Sequence, residues 1–129
     1  VLHIKELFIR TDASNSIGIG HLMRCLVLAR AFKKQGGKVT FISACKNNML
    51  RKRITDEGFK LVDIENSYPK MFDLETTLLT INNSHSSNKW IVIDGYHFDT
   101  YYQQSIKNND NRLLVIDDTA HLNRYVADI

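Results

Sequence analysis

Two apolar runs that lack alternation set the strongest limit on the fold. Ile91-Val92-Ile93 and Leu113-Leu114-Val115-Ile116 are hydrophobic at every position. A strand with one wet face alternates polar and apolar residues, so a continuous run belongs to a strand covered on both faces. Helical patterns stand between the strand-like runs. Each strand is therefore followed by a crossover helix, and the strands run parallel. Strand one is read over Lys5 to Thr11. Helix one runs from about His21 to Gln35, with Leu22, Cys25, Leu26, Ala29 and Phe32 on one face, and Gly36-Gly37 stops it. Strand two covers Lys38 to Ser43, helix two about Asn47 to Glu57 before Gly58, and strand three Phe59 to Ile64. A third helix spans about Asp73 to Asn82, followed by strand four at Trp90 to Asp94. Asp99 is positioned as the N-cap of a helix reaching about Asn108, and strand five spans Arg112 to Asp117. The alternation predicts an α/β, Rossmann-like, doubly wound parallel sheet.

The length of 129 residues fits one domain, and 43% hydrophobic residues suffice for a core. The net charge of +3 is modest. Lys33-Lys34 and Arg51-Lys52-Arg53 fall in helical segments with no interleaved aromatics, which fits solvated faces and argues against nucleic acid as a partner. No apolar run approaches membrane-spanning length and no signal-peptide pattern opens the chain, so the expectation is a cytoplasmic protein without a membrane partner. Cys25 and Cys45 lack CxxC spacing and read as two free thiols. The five histidines show no HxxxH or HxH spacing, so no metal site is expected. The chain opens on Val1, and Ala127-Asp128-Ile129 reads as the start of another strand; both ends point to a piece of a longer protein.

Ligands of parallel α/β sheets bind beyond the carboxyl ends of the strands. Arg10 and Asp12 close strand one, Asp94 closes strand four, and Asp117-Asp118 closes strand five. His21 follows a loop holding Gly18 and Gly20, at the start of helix one. The positive end of a helix favours anions and disfavours imidazole protonation, which suits a histidine that takes a proton. Arg24, one turn on, either attracts an anionic substrate or pairs with Asp12. Known phosphate loops do not fit. Met23 stands where a dinucleotide fingerprint needs its third glycine, and strand two ends Ile42-Ser43-Ala44 without a ribose-binding acid. A Walker loop and a Gly-x-Ser-x-Gly elbow are absent. Cys25 lies on the buried face of its helix and reads as core.

Arg10-x-Asp12-Ala13-Ser14 and Ile17-Gly18-x-Gly20-His21-x-Met23-Arg24-Cys25-Leu26-x-Leu28-Ala29 resemble the opening of the UDP-sugar hydrolases of pseudaminic acid biosynthesis. Their substrate is a UDP-linked diacetamido-trideoxy sugar. Spore-coat polysaccharide biosynthesis proteins share the pattern. Ile91-Val92-Ile93-Asp94-x-Tyr96 and Val115-Ile116-Asp117-Asp118 resemble two further blocks of that family, in the same order. The resemblance covers the N-terminal half of the family. It implies a two-domain fold like that of glycosyltransferases of the B type. Residues 1–129 would be the N-terminal Rossmann-like domain, and the C-terminal domain, which grips UDP, is absent from this chain. It further implies that His21 is the base that activates water against the anomeric carbon, with Asp12, Gly18, Gly20, Arg24, Asp94 and Tyr96 around the substrate. Arg10, Asp117 and Asp118 would support the site, and no cofactor is implied. One departure stands out. Many pseudaminic-pathway members carry Asp-His-Tyr-Gly where this chain has Asp94-Gly95-Tyr96-His97. Gly95 removes a side chain from the rim, which points to another nucleotide sugar or to a non-hydrolytic branch. A glycosyltransferase with the same base, or a non-catalytic nucleotide-sugar-binding module, are the alternatives.

Overall fold

The computed structural model describes residues 6–14, 17–108, 111–118 and 120–129. Val1, given above as the chain's first residue, and Lys5, given as the start of strand one, lie outside the described residues. The order of elements is β1 (Glu6–Thr11), α1 (Gly20–Lys34), β2 (Lys38–Ser43), α2 (Asn48–Asp56), β3 (Lys60–Asp63), α3 (Met71–Asn82), β4 (Lys89–Asp94), α4 (Thr100–Lys107) and β5 (Arg112–Ile116). The five strands form one sheet in the order β3-β2-β1-β4-β5, and every pair is parallel. This is the Rossmann-like, doubly wound α/β architecture that the sequence predicts.

The two faces of β1 explain its continuous apolar character. Leu7 and Ile9 pack with Leu22, Cys25, Leu26 and Ala29 of α1 and Leu50 and Ile54 of α2. Phe8 faces the other side, with Ile81 of α3 and Tyr102 and Ile106 of α4. Each fully buried large side chain of this kind contributes about 1.5–3 kcal/mol of transfer free energy. The helix ends obey local chemistry. Asn47 caps α2 by accepting from the backbone N–H groups of Met49 (3.0 Å) and Leu50 (3.2 Å). Asp99 caps α4 by accepting from the Tyr102 N–H at 2.9 Å. Gly58, with φ +86°, takes the left-handed turn that follows α2.

At the chain's end, Asp128 N–H donates to Leu113 O (2.8 Å) and Val115 N–H donates to Ile129 O (2.9 Å). Residues 128–129 thus hydrogen-bond to β5 at the edge of the sheet, although no strand is formed there.

One charged group sits wholly inside. Arg10, at the carboxyl end of β1, is 0% exposed. Its guanidinium bridges two buried carboxylates, Asp12 and Asp73, with two N–H groups on each. It also donates to Ile42 O at 3.3 Å and lies over the Phe98 ring at 4.9 Å. Asp73 in turn accepts from Tyr102 OH at 2.8 Å and from Tyr68 N–H at 2.5 Å. Burial alone would raise the pKa of Asp12. The His97 hydrogen bond, the Arg10 charge and the Ala44 N–H override it and hold the carboxyl below the usual range.

Breaking a buried ion pair by removing one partner leaves an uncompensated charge. Arg10→Met, which strands two carboxylates, is expected to lower unfolding free energy by about 3–5 kcal/mol in urea denaturation. The depressed Asp12 pKa also fixes a pH dependence. Its stabilisation is complete above the ordinary aspartate value of about 3.9 and is lost as pH falls through the lower folded value. The difference in urea midpoint between wild type and Asp12→Asn should therefore be constant near neutrality and shrink only in acid.

Candidate functional site

Strand order 3-2-1-4-5 places a topological switch point between β1 and β4, where the connections leave for opposite faces. β1 and β4 are paired with Thr11 opposite Asp94, and Thr11 Oγ1 donates to Asp94 O at 3.0 Å. The loop after β1 carries Gly18, Gly20 and His21; the loop after β4 carries Gly95, Tyr96 and His97. Gly18, with φ +84°, turns the first loop back so that its N–H donates to Ser14 O at 2.7 Å. Nothing lies within 4 Å of a Cβ built on Gly18 or Gly20, so the loop's surface is open.

His21 sits in the first turn of α1, and its Nδ1 lies 2.8 Å from Asp94 Oδ1. Asp94 is 0% exposed and also accepts from Arg24 Nε (2.5 Å) and Arg24 Nη2 (2.6 Å). A carboxylate ringed by donors is an acceptor only, so in the neutral imidazole the proton lies on His21 Nδ1 and the lone pair on Nε2. The 3.2 Å approach of Arg24 Nη2 to the same Nδ1 is then a contact rather than a donated bond. Nε2 has no hydrogen-bond partner among the described residues and is not fully buried, the side chain being 10% exposed. The result is a base with its orientation fixed by a buried carboxylate, the arrangement general-base catalysis needs.

Arg24 extends outward from this pair. Its Nη1 donates to both oxygens of Asp118, at 3.0 and 2.8 Å. That hydrogen bond holds the Asp118 carboxyl below its usual range. Tyr96 OH donates to Asp118 Oδ2 at 3.3 Å, and its ring stands edge-on to His21 with centroids 4.9 Å apart. Tyr96 remains 47% exposed, a half-open aromatic surface over the crevice. Asp117 turns away. It accepts from Ala120 N–H (3.1 Å) and Tyr125 OH, and pairs with His121 Nδ1 at 3.0 Å, ordering the segment after β5.

The structure thus joins His21, Arg24, Asp94, Tyr96 and Asp118 in one cluster. Arg10 and Asp12 form a second, and the expected alternative of an Arg24–Asp12 pair is corrected: Arg24 lies on the α1 side with Asp94, while the Asp12 carboxylate faces Arg10. Asp12 and Asp94, placed in a sugar pocket by the resemblance, both have their carboxylates buried beneath the rim. The sequence reading gave no role to His97, whose Nε2 lies 2.7 Å from Asp12 Oδ2. The available signal was its place three residues past the end of β4. Its partner, 85 positions away, was not legible.

A cleft of about 740 Å³ opens at the other edge, lined by Lys33, Lys38, Lys60, Thr80 and His85. Helices α1, α2 and α3 present their carboxyl ends to that edge, which favours the lysines there. Among the described residues no cluster of three or more His, Cys, Asp or Glu side chains suits a metal ion, and no helix is long and apolar enough to cross a membrane.

Cys25 and Cys45 are free and buried. Burial first, and then the Asp94 carboxylate 3.5 Å from Cys25 Sγ, push the Cys25 thiol pKa up, which opposes the thiolate a nucleophile requires. Ellman's reagent should therefore find both thiols unreactive in the native protein and both reactive in urea. Comparison with protein-family models, curated proteins and solved structures finds no match to this chain.

Proposed function

We propose that this domain supplies the water-activating base of a nucleotide-sugar hydrolase. The carrying observation is the His21–Asp94 pair at the β1/β4 crevice, with Nδ1 held by a buried carboxylate and Nε2 open. In the proposed reaction, His21 Nε2 takes a proton from water as the oxygen attacks the anomeric carbon of a UDP-linked diacetamido-trideoxy sugar. The bond between that carbon and the β-phosphate oxygen breaks, UDP leaves with the electron pair, and the configuration inverts. Asp94 stabilises the imidazolium that forms. Arg24 and Asp118 keep Asp94 and Tyr96 in place around the reacting centre.

The nucleotide is proposed to be held elsewhere. The guanidinium beside His21 is committed to Asp94 and Asp118, so it has little charge to offer a diphosphate. A second, C-terminal domain of the B type of glycosyltransferase fold would supply those contacts and would shed water from the site on closing. The same base serves a sugar hydroxyl as readily as water, so a glycosyltransferase is the second reading.

The test uses the full-length protein carrying this domain, incubated with UDP-linked amino sugars. Free sugar plus UDP supports hydrolysis, acceptor-dependent release of UDP supports transfer, and binding without turnover assigns a binding module. His21→Asn is expected to lower kcat by about 10²–10⁴-fold with UDP affinity unchanged. A loss within about threefold, far below that range, would reduce His21 to a structural role. Residues 1–129 alone are expected to bind UDP weakly in calorimetric titration. A dissociation constant in the low micromolar range, about −8 kcal/mol, would place the nucleotide grip in this domain instead.

A further inference from the structure

The two histidines of the crevice are held in a crossed arrangement. His21, from the segment after β1, is held by Asp94 of β4; His97, from the segment after β4, is held by Asp12 just past β1. β1 and β4 are adjacent, about 4.8 Å apart, so the two carboxylates that hold the imidazoles stand at the carboxyl ends of neighbouring strands. We propose that His97 is a second ligand-facing imidazole of this crevice, accepting a hydrogen bond through Nδ1 from a hydroxyl or amide N–H of the bound sugar.

The direction of the hydrogen bond follows from Asp12. Its Oδ1 accepts from Arg10 Nη1 and Ala44 N–H (2.7 Å); its Oδ2 accepts from Arg10 Nη2 (3.0 Å) and Ser67 Oγ (2.9 Å). An acceptor so surrounded fixes the neutral ring's proton on His97 Nε2 and leaves the lone pair on Nδ1. Nδ1 has no partner among the described residues and is not among the buried polar atoms lacking one, so it opens to solvent. The side chain is 21% exposed.

Asp12 has other donors besides His97. Without it, each carboxylate oxygen still accepts two hydrogen bonds. The imidazole, in contrast, is fixed by everything around it. Asp12 holds one edge and the Phe98 ring lies against its face, with centroids 4.1 Å apart. Gly95 makes the space: a Cβ there would meet His97 Cε1 at 2.8 Å and Nδ1 at 3.0 Å. The absent side chain at Gly95 is what admits the ring. An acceptor oriented before the ligand arrives loses little entropy on binding, which is how such a group selects a sugar.

The ligand class rests on the nucleotide-sugar reading above, so the experiment separates the two. In the full-length protein, imidazole nitrogen shifts are followed by NMR as UDP-N-acetylglucosamine is added, and UDP release from the same compound and from UDP-linked diacetamido sugars is assayed. His97→Gln keeps a donor for Asp12 but loses the acceptor at the Nδ1 position. Gly95→Ala crowds the His97 ring and Phe98 Cε2, while Arg10, Ala44 N–H and Ser67 remain as donors to Asp12. The expected result is a shift of His97 Nδ1 on binding, and in both variants a KM raised about tenfold, the loss of one hydrogen bond, with a smaller change in kcat. UDP release with His97 Nδ1 unmoved, or with KM unchanged in both variants, overturns the assignment and leaves the hydrolase reading standing. A moved Nδ1 signal without UDP release does the reverse. Silence in both removes both.

Discussion

A guanidinium with no exposure to water has to be surrounded by acceptors, and that requirement organises the upper half of this domain. Arg10 cannot be deprotonated and cannot reach solvent, so the chain brings Asp12 and Asp73 to it from two elements. Asp73 belongs to the first turn of α3, whose crossover from β3 to β4 passes the central strands. The bridge therefore fixes α3 against the carboxyl end of β1. Tyr68, Tyr102 and Thr77 complete it: Tyr68 N–H and Tyr102 OH donate to Asp73, and the Tyr102 oxygen accepts from Thr77 Oγ1. With Asp12 immobilised as an anion, the Nε2 edge of His97 has only one place to dock.

The opposite side of the switch point repeats the same logic with different parts. Asp94 is buried, and its satisfaction comes from His21, Arg24 and the Cys25 thiol, all on the first two turns of α1. Spacing explains why one helix serves. Residues 21, 24 and 25 are neighbours on one helical face, so a single carboxylate at the strand end meets all three. Arg24 is long enough to cover Asp94 and still reach Asp118 beyond β5. Electrostatic order at the rim is thus built on two buried aspartates, each presenting an imidazole with its outer nitrogen free.

That division also separates roles among the acids. Asp94 and Asp12 are buried, and each holds a histidine. Asp118 is exposed and ties Arg24 to Tyr96, while Asp117 orders the segment past β5 around His121 and Tyr125. Tyr96 leaves an aromatic surface facing outward beside Asp118.

Local chemistry alone decided the elements. The unbroken apolar run of β4 fits two covering layers, the helical spacing of Leu22, Cys25, Leu26 and Ala29 required a buried face, and Asp99 and Gly58 marked helix ends through their own backbone preferences; β5, equally apolar in sequence, lies at the sheet edge and fully buries only Leu113, so its run overstated its cover. Each of these depends on neighbours within a turn or a strand, so the α/β alternation and the carboxyl-end position of His21, Asp94 and Asp118 were legible in the sequence. The pairings were not. Asp94 meets His21 across 73 positions and Arg24 across 70, Asp12 meets His97 across 85, and Arg10 meets Asp73 across 63. Which aspartate takes which cation depends on strand order and on the face to which each side chain points. A one-residue alternation along β1 sends Arg10 and Asp12 to the α3–α4 side, while Asp94 on the neighbouring strand turns toward α1. Only the folded sheet, by setting β1 beside β4 in register, made the two aspartates hold each other's histidines.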